Sequence, residues 1–253
     1  MTHVQSVSPN KGVAWIGQGW RNFKRSPGMW IVLGSVAVTI FILLSSVGTA
    51  GGLIAWLVSP MLAGGLLFAA READEGRPVL LIHLLQGFHD SRVSRGILVL
   101  GATLVGMALV SMVIGLALIG EAVLTRMYTD PTAVSFATLG SPVLIGLLLV
   151  LCVQLLVLSA VTYALPLIMF DNESAGAAMR ASVLACVRNI LPLLVFSVAY
   201  FVLVVAAAIP LTLLWAMLFP PYTLEWLPVI LGWVLLPPSV AMLYASYRDC
   251  FQA

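Results

Sequence analysis

Six stretches of this chain, residues 29–47, 53–70, 97–119, 142–170, 190–218 and 226–244, contain no Lys, Arg, Asp or Glu at all. At about 1.5 Å per helical residue each approaches or exceeds the roughly 30 Å of a bilayer's hydrocarbon layer. In that layer a backbone must satisfy its own hydrogen bonds, which only helices and closed barrels achieve. The alternating pattern of a membrane barrel is missing, so each stretch is expected to be a helix. Charged residues make up 9% of the chain and hydrophobic ones 61%, whereas a soluble domain carries about 25% charged residues. The expected fold is therefore all-α: one integral membrane domain over 1–253, a polytopic bundle of six transmembrane helices. The fourth and fifth stretches are long enough to tilt.

The connections orient the bundle. Lys11, Arg21, Lys24 and Arg25 precede the first span; Arg71, Arg77, Arg92 and Arg95 flank the connection between spans two and three; Arg180 and Arg188 lie between four and five; Arg248 follows six. Of the twelve cations only Arg126, between spans three and four, falls on the other side. This positive-inside bias predicts a multi-pass protein with both termini in the cytoplasm. The opposite side is left with a short turn at 48–52 and loops at 121–141 and 219–225, too small for an external domain. The first 28 residues, with Trp15 and Trp20, are unlike a signal-peptide leader, so the first span is expected to stay in the membrane. The alternative is cleavage near 46–50.

Residues 1–10 read as a flexible N-terminus and 11–25 as an amphipathic interfacial helix. At about 100° per residue, Trp15, Ile16, Gly19, Trp20 and Phe23 fall opposite Arg21, Lys24 and Arg25. Such a helix is expected to lie in the headgroup plane with Trp15, Trp20 and Phe23 inserted and Arg21, Lys24 and Arg25 on anionic headgroups. A second surface helix is expected at 80–88, with Leu80, Leu81, Leu84, Leu85 and Phe88 opposite His83, Gln86 and Asp90. A third, weaker one is expected between Glu173 and Arg188, around Met179, Val183 and Cys186. Surface helix, basic residues and two spans thus recur three times, and the hairpin ends look alike. Pro60 precedes Arg71-Glu72, and Pro237 precedes Arg248-Asp249, by the same eleven residues. The chain reads as a threefold pseudo-repeat of hairpins.

Candidate sites are few. An ion-coupled transporter usually keeps an ionisable residue within a span, and none is present. Gln154, the most deeply placed polar side chain, reads as an interhelical hydrogen-bonding residue, with a substrate ligand as the alternative. Glu121 and Glu225 read as solvated edge residues that alternatively line a pathway. Pro60, Pro166, Pro192, Pro210, Pro237 and Pro238 interrupt spans, which neighbouring helices tolerate and transporters exploit. Small pairs such as Gly48/Gly52, Gly65/Ala69 and Ala102/Gly106 fit close helix packing within the chain or in a homo-oligomer. His83 and His89 lie about 120° apart on a helix and make no metal set. The motifs of zinc proteases, serine hydrolases and nucleotide-binding loops are missing. The Arg71-Glu72-Ala73-Asp74-Glu75 run reads as a solvated helix end. Cys152, Cys186 and Cys250 read as free thiols. No cofactor, metal or nucleic-acid partner is expected; the expected partners are membrane lipids, anionic ones among them, a second copy, or another membrane protein.

The pattern Trp15-Ile16-x-x-Gly19-Trp20-x-x-Phe23-x-x-x-Pro27-x-x-Trp30 resembles a bacterial family of six-span inner-membrane proteins that carry no assigned function. The likeness continues through Ser59-Pro60-Met61-x-x-Gly64-Gly65-Leu66, Ala70-Arg71-Glu72 and Leu85-x-Gly87-Phe88. More distantly the chain is similar to the membrane region beside glycerophosphodiester phosphodiesterase domains, without the catalytic domain. The resemblance implies a six-span fold in the bacterial inner membrane and no catalytic residues. The function expected is a non-enzymatic component that interacts with lipids or partner membrane proteins. A small-molecule or lipid transporter is the alternative, and a membrane-interface enzyme built on Asp74 and Glu75 the third.

Overall fold

The computed structural model describes residues 4–120, 140–220, 223 and 227–252. In chain order the helices are α1 (Lys11–Arg25), α2 (Pro27–Ser45), α3 (Gly48–Asp74), α4 (Gln86–His89) entered through a 3₁₀ turn (Leu81–Leu85), α5 (Ser91–Ile114) continued by a π-helical turn (Gly115–Gly120), α6 (Gly140–Thr162), α7 (Ala164–Phe170), α8 (Ala175–Arg188), α9 (Ile190–Leu218) and α10 (Leu227–Phe251). Among the described residues six helical runs are long and apolar enough to cross a membrane, so the chain is a multi-pass, all-α membrane protein.

The helices outrun the charge-free stretches at several ends, because hydropathy marks where hydrocarbon stops and not where a helix must. The α2–α3 turn is Ser46-Val47, shorter than the 48–52 turn expected, and Gly48 follows at a φ of +75°. α3 continues through Arg71, Glu72 and Asp74. It stops where Gly76, at a φ of +78°, turns the chain so that the Arg77 amide donates to the Glu72 carbonyl at 2.8 Å, an αL cap that suits glycine. α10 likewise runs past Arg248 to Phe251.

The fourth stretch is two helices. The Tyr163 amide leaves the ladder to donate to Ser182 Oγ at 2.9 Å, and the Ser182 hydroxyl donates to the Ser159 carbonyl at 2.6 Å. A side chain from α8 thus replaces one turn of the ladder, which together with Pro166 breaks the span at Tyr163.

Several contacts gather the ends of α3, α7 and α10 at one charged end of the bundle. An ion pair joins Arg248 to Asp74, Tyr247 donates to Asp171 at 2.8 Å, and Arg92 donates to the Asn172 carbonyl at 3.0 Å. Burial is concentrated in α3 and α10, half or more of whose apolar windows lie inside the protein, whereas only 6% of α9's does. α9 therefore turns most of its length outward.

The three surface segments pack in a cycle. α1 lies on α10 and α9, the 81–89 elbow lies on α3, and α8 lies on α6 and α7. Each segment grips the hairpin before its own, and the first grips the third, which is what a threefold pseudo-repeat closing on itself produces. Glycines set these crossings. A Cβ at Gly12 would collide with the Pro192 carbonyl, one at Gly19 with Met242, one at Gly65 with the Leu84 backbone and one at Gly87 with the Met61 carbonyl.

Two surface expectations are corrected. Residues 4–10 are pinned and not a flexible tail: Val4 is buried, the Gln5 amide donates to the Cys250 carbonyl at 2.9 Å, and the Val7 amide donates to Asn189 Oδ1 at 2.8 Å. The elbow is not the single amphipathic helix expected, with all its leucines on one face: a 3₁₀ turn leads into one short α-helix. His83 and Leu84 are buried, while Leu80, Leu81, Ile82, Leu85 and Phe88 are exposed. Contact with Met61 and Gly65 places the elbow roughly 14–20 Å along α3 from Asp74, at 1.5 Å per residue, beside the apolar middle of that helix.

Candidate lipid-contacting site at the charged end

α1 has two faces, and the structure assigns them differently from the amphipathic reading. Its inner face carries Gly12, Trp15, Gly19, Asn22 and Phe23, all buried, a three- and four-residue spacing that places them on one side of a helix. Trp15 is fully buried; its indole Nε1 donates to Asp249 Oδ2 at 3.0 Å, and its ring meets Phe196 edge-on at 6.2 Å. Lys11 pairs with the same carboxylate oxygen at 3.0 Å. Arg248, besides pairing with Asp74, donates to Gln18 Oε1 at 3.2 Å, and Asn22 donates to Asp74 Oδ1 at 3.3 Å. Arg25 donates to the Ala73 carbonyl, and Trp30 donates from Nε1 to the Asn22 carbonyl at 3.2 Å. Polar and aromatic groups from α2, α3, α9 and α10 therefore lock α1 across the ends of α3 and α10.

This corrects the expectation that Trp15 and Phe23 insert into the bilayer: both are spent on protein packing. Trp20 remains outward, stacked on Phe23 with ring centroids 5.3 Å apart. Arg21, Lys24 and Arg25 are also exposed. The candidate face thus reduces to Trp20, Arg21 and Lys24, with Arg25 at its edge. Neither Arg21 nor Lys24 forms an ion pair with an acid among the described residues. Gln18 and Asn22 escaped the sequence reading, which used Lys11, Arg248 and Asp249 only for orientation and repeat and read Asp74 as part of a solvated helix end, whereas Asp74 pairs with Arg248 and accepts from Asn22. The signal that points to them is the run of Gly12, Gly19 and Asn22 in register with Trp15, since a helix lying wholly in headgroups has no use for closely approached glycines.

Beside the lock, Arg77 donates to both carboxylate oxygens of Glu72 at 2.6 Å and also pairs with Glu75, while Arg71 pairs with Glu75 at 2.8 Å and sits 5.3 Å over the Phe170 ring. The hydrogen bond from Arg71, with a second from Arg77, holds the Glu75 carboxyl below its usual range despite partial desolvation. The acids of the 71–75 run are engaged with this chain's own cations. Among the described residues no three His, Cys, Asp or Glu side chains converge as a metal site requires. Gln154 donates to Ser111 Oγ at 3.4 Å and ties α6 to α5, while Glu121 and Glu225 lie outside the described residues. No family model, curated protein or solved structure matches the chain.

Proposed function

We propose that this membrane protein works without enzymatic chemistry, in a bacterial inner membrane with its charged end in the cytoplasm, and that it holds anionic phospholipid headgroups on the outer face of α1. The observation that carries the reading is the division of α1: one face is locked into the bundle, and the other presents Trp20, Arg21 and Lys24 with no acid among the described residues to neutralise the two cations. An indole beside two cations at a helix-bundle end suits the layer where hydrocarbon gives way to phosphate. Each cation contributes on the order of 1 kcal/mol near an anionic surface. Fixing α1 by its buried face supplies the preorganisation that lets a few such contacts count. The resemblance around Trp15 to Trp30 fits the same reading of six-span inner-membrane proteins.

Native mass spectrometry of the whole protein released from nanodiscs of mixed phosphatidylglycerol and phosphatidylcholine tests it. The wild type is expected to retain phosphatidylglycerol selectively. Arg21→Glu with Lys24→Glu should cut that retention by about tenfold or more, at roughly 1 kcal/mol per lost cation with reversal adding repulsion. Equal retention of the two lipids, or retention unchanged by the double reversal, overturns the headgroup reading.

A further inference from the structure

A cavity of about 330 Å³ lies among six helices, with Ala37 of α2, Pro60 and Ala63 of α3, Leu104 of α5, Val161 of α6, Leu165 of α7 and Leu236 of α10 on its walls. Its depth follows from register, because Pro60 stands at the middle of the 27 residues of α3 and the other walls are likewise drawn from mid-span. Nearer the charged end the same group of helices is closed by rings: Phe170 meets Tyr244 at 5.8 Å and Tyr247 at 6.0 Å, under Arg71. α6 and α10 both line the space and do not pack closely on one another among the described residues.

We infer that this cavity is a binding site for one acyl chain of a bilayer phospholipid, which enters between α6 and α10. The walls hold no charge, and the Ser59 hydroxyl is already spent on the Trp56 carbonyl at 3.0 Å, so nothing there orients a polar solute. At mid-span the medium outside the opening is hydrocarbon. An apolar space of this kind stays dry and takes an apolar guest. At about 30 Å³ per methylene- or water-sized group it holds roughly ten of them, a length typical of one fatty chain segment. The site is separate from the α1 face, because none of its walls comes from α1 and no charge takes part.

Photolabelling of the full-length protein in phosphatidylcholine nanodiscs tests the site, with a phosphatidylcholine carrying a diazirine in one acyl chain as the probe. Labels are expected on Ala63, Leu104 and Leu236 at about five times or more the density on Leu213 and Met217, which face outward from α9; a pocket that encloses its guest predicts that contrast. Ala63→Trp, and Leu104→Trp from the other wall, should each remove most of the cavity labelling and leave that on α9. Labelling spread evenly over cavity and α9 in the wild type overturns the inference by itself, whether or not either variant folds. Retained labelling in a folded Trp variant does the same. Because the probe carries no net charge, these outcomes do not depend on the headgroup reading.

Discussion

Replacing Trp15 by Phe keeps the ring but removes the indole N–H that Asp249 accepts. A hydrogen bond to a charged group contributes about 1.5–3 kcal/mol, so Trp15→Phe is expected to lower the unfolding midpoint in detergent, whereas Trp20→Phe, on the outer face, leaves it nearly unchanged. Equal midpoints for the two variants would contradict the lock. At His83 the bond runs the other way: the Leu80 amide donates to Nδ1 at 3.3 Å, and the ring packs against Phe68. Burial holds this imidazole below its ordinary value, helped by Arg77 and opposed by Glu72. The unfolded chain therefore binds the proton first, and the stabilisation, complete above about pH 6.5, is lost as pH falls through the lowered folded value. An NMR titration of His83 should show a midpoint below 6.5, and one at or above it would remove the effect. The sequence marked Trp15 as important yet assigned it to lipid. An indole at a helix face suits a headgroup layer and a protein crevice equally well, and its partner lies 234 residues away.

Helix crossings depend on what the glycines leave out. Gly19→Val puts a branched side chain where Met242 packs, whereas Gly106→Val enters open space. Overpacking of this kind costs about 1–3 kcal/mol. Gly19→Val should therefore loosen α1 and expose the 11–25 segment to protease, and Gly106→Val should not; equal protection of both variants would argue against the crossing. Ser182→Ala removes the hydroxyl that bridges Ser159 and Tyr163 and leaves a buried carbonyl and amide without it, at about 1–3 kcal/mol. Thermal unfolding of that variant measures the cost. The spans were legible because an absence of charge over twenty residues has few other physical meanings. The elbow was not, since a helical period was read into residues that form a 3₁₀ turn. There the Leu80 amide finds its acceptor in His83 Nδ1, and His83 and Leu84 turn inward while the leucines around them stay outward.

For the molecule as a whole, the gathering of eleven of the twelve cations on the connections of one side predicts sidedness. With the native cysteines replaced by serine, Lys24→Cys should react with a membrane-impermeant maleimide only after bacterial cells are opened. Labelling of intact cells would invert the orientation. The threefold pattern of hairpins was visible as spacing between prolines and arginines, but its closure was not, because closure is a property of which segment touches which.

The cycle of surface segments also sets an order of events during synthesis. α1 leaves the ribosome early and α10 late, with Trp15 and Asp249 separated by 234 positions. At about 5–20 residues per second this is a wait of roughly 10–50 s. Through that interval the Trp15 indole N–H lacks its Asp249 acceptor, and the interface between water and hydrocarbon is a favourable place for such a side chain to rest. Only the last span brings the carboxylate that Trp15 donates to. The final hairpin of the chain thus completes the lock on its first helix.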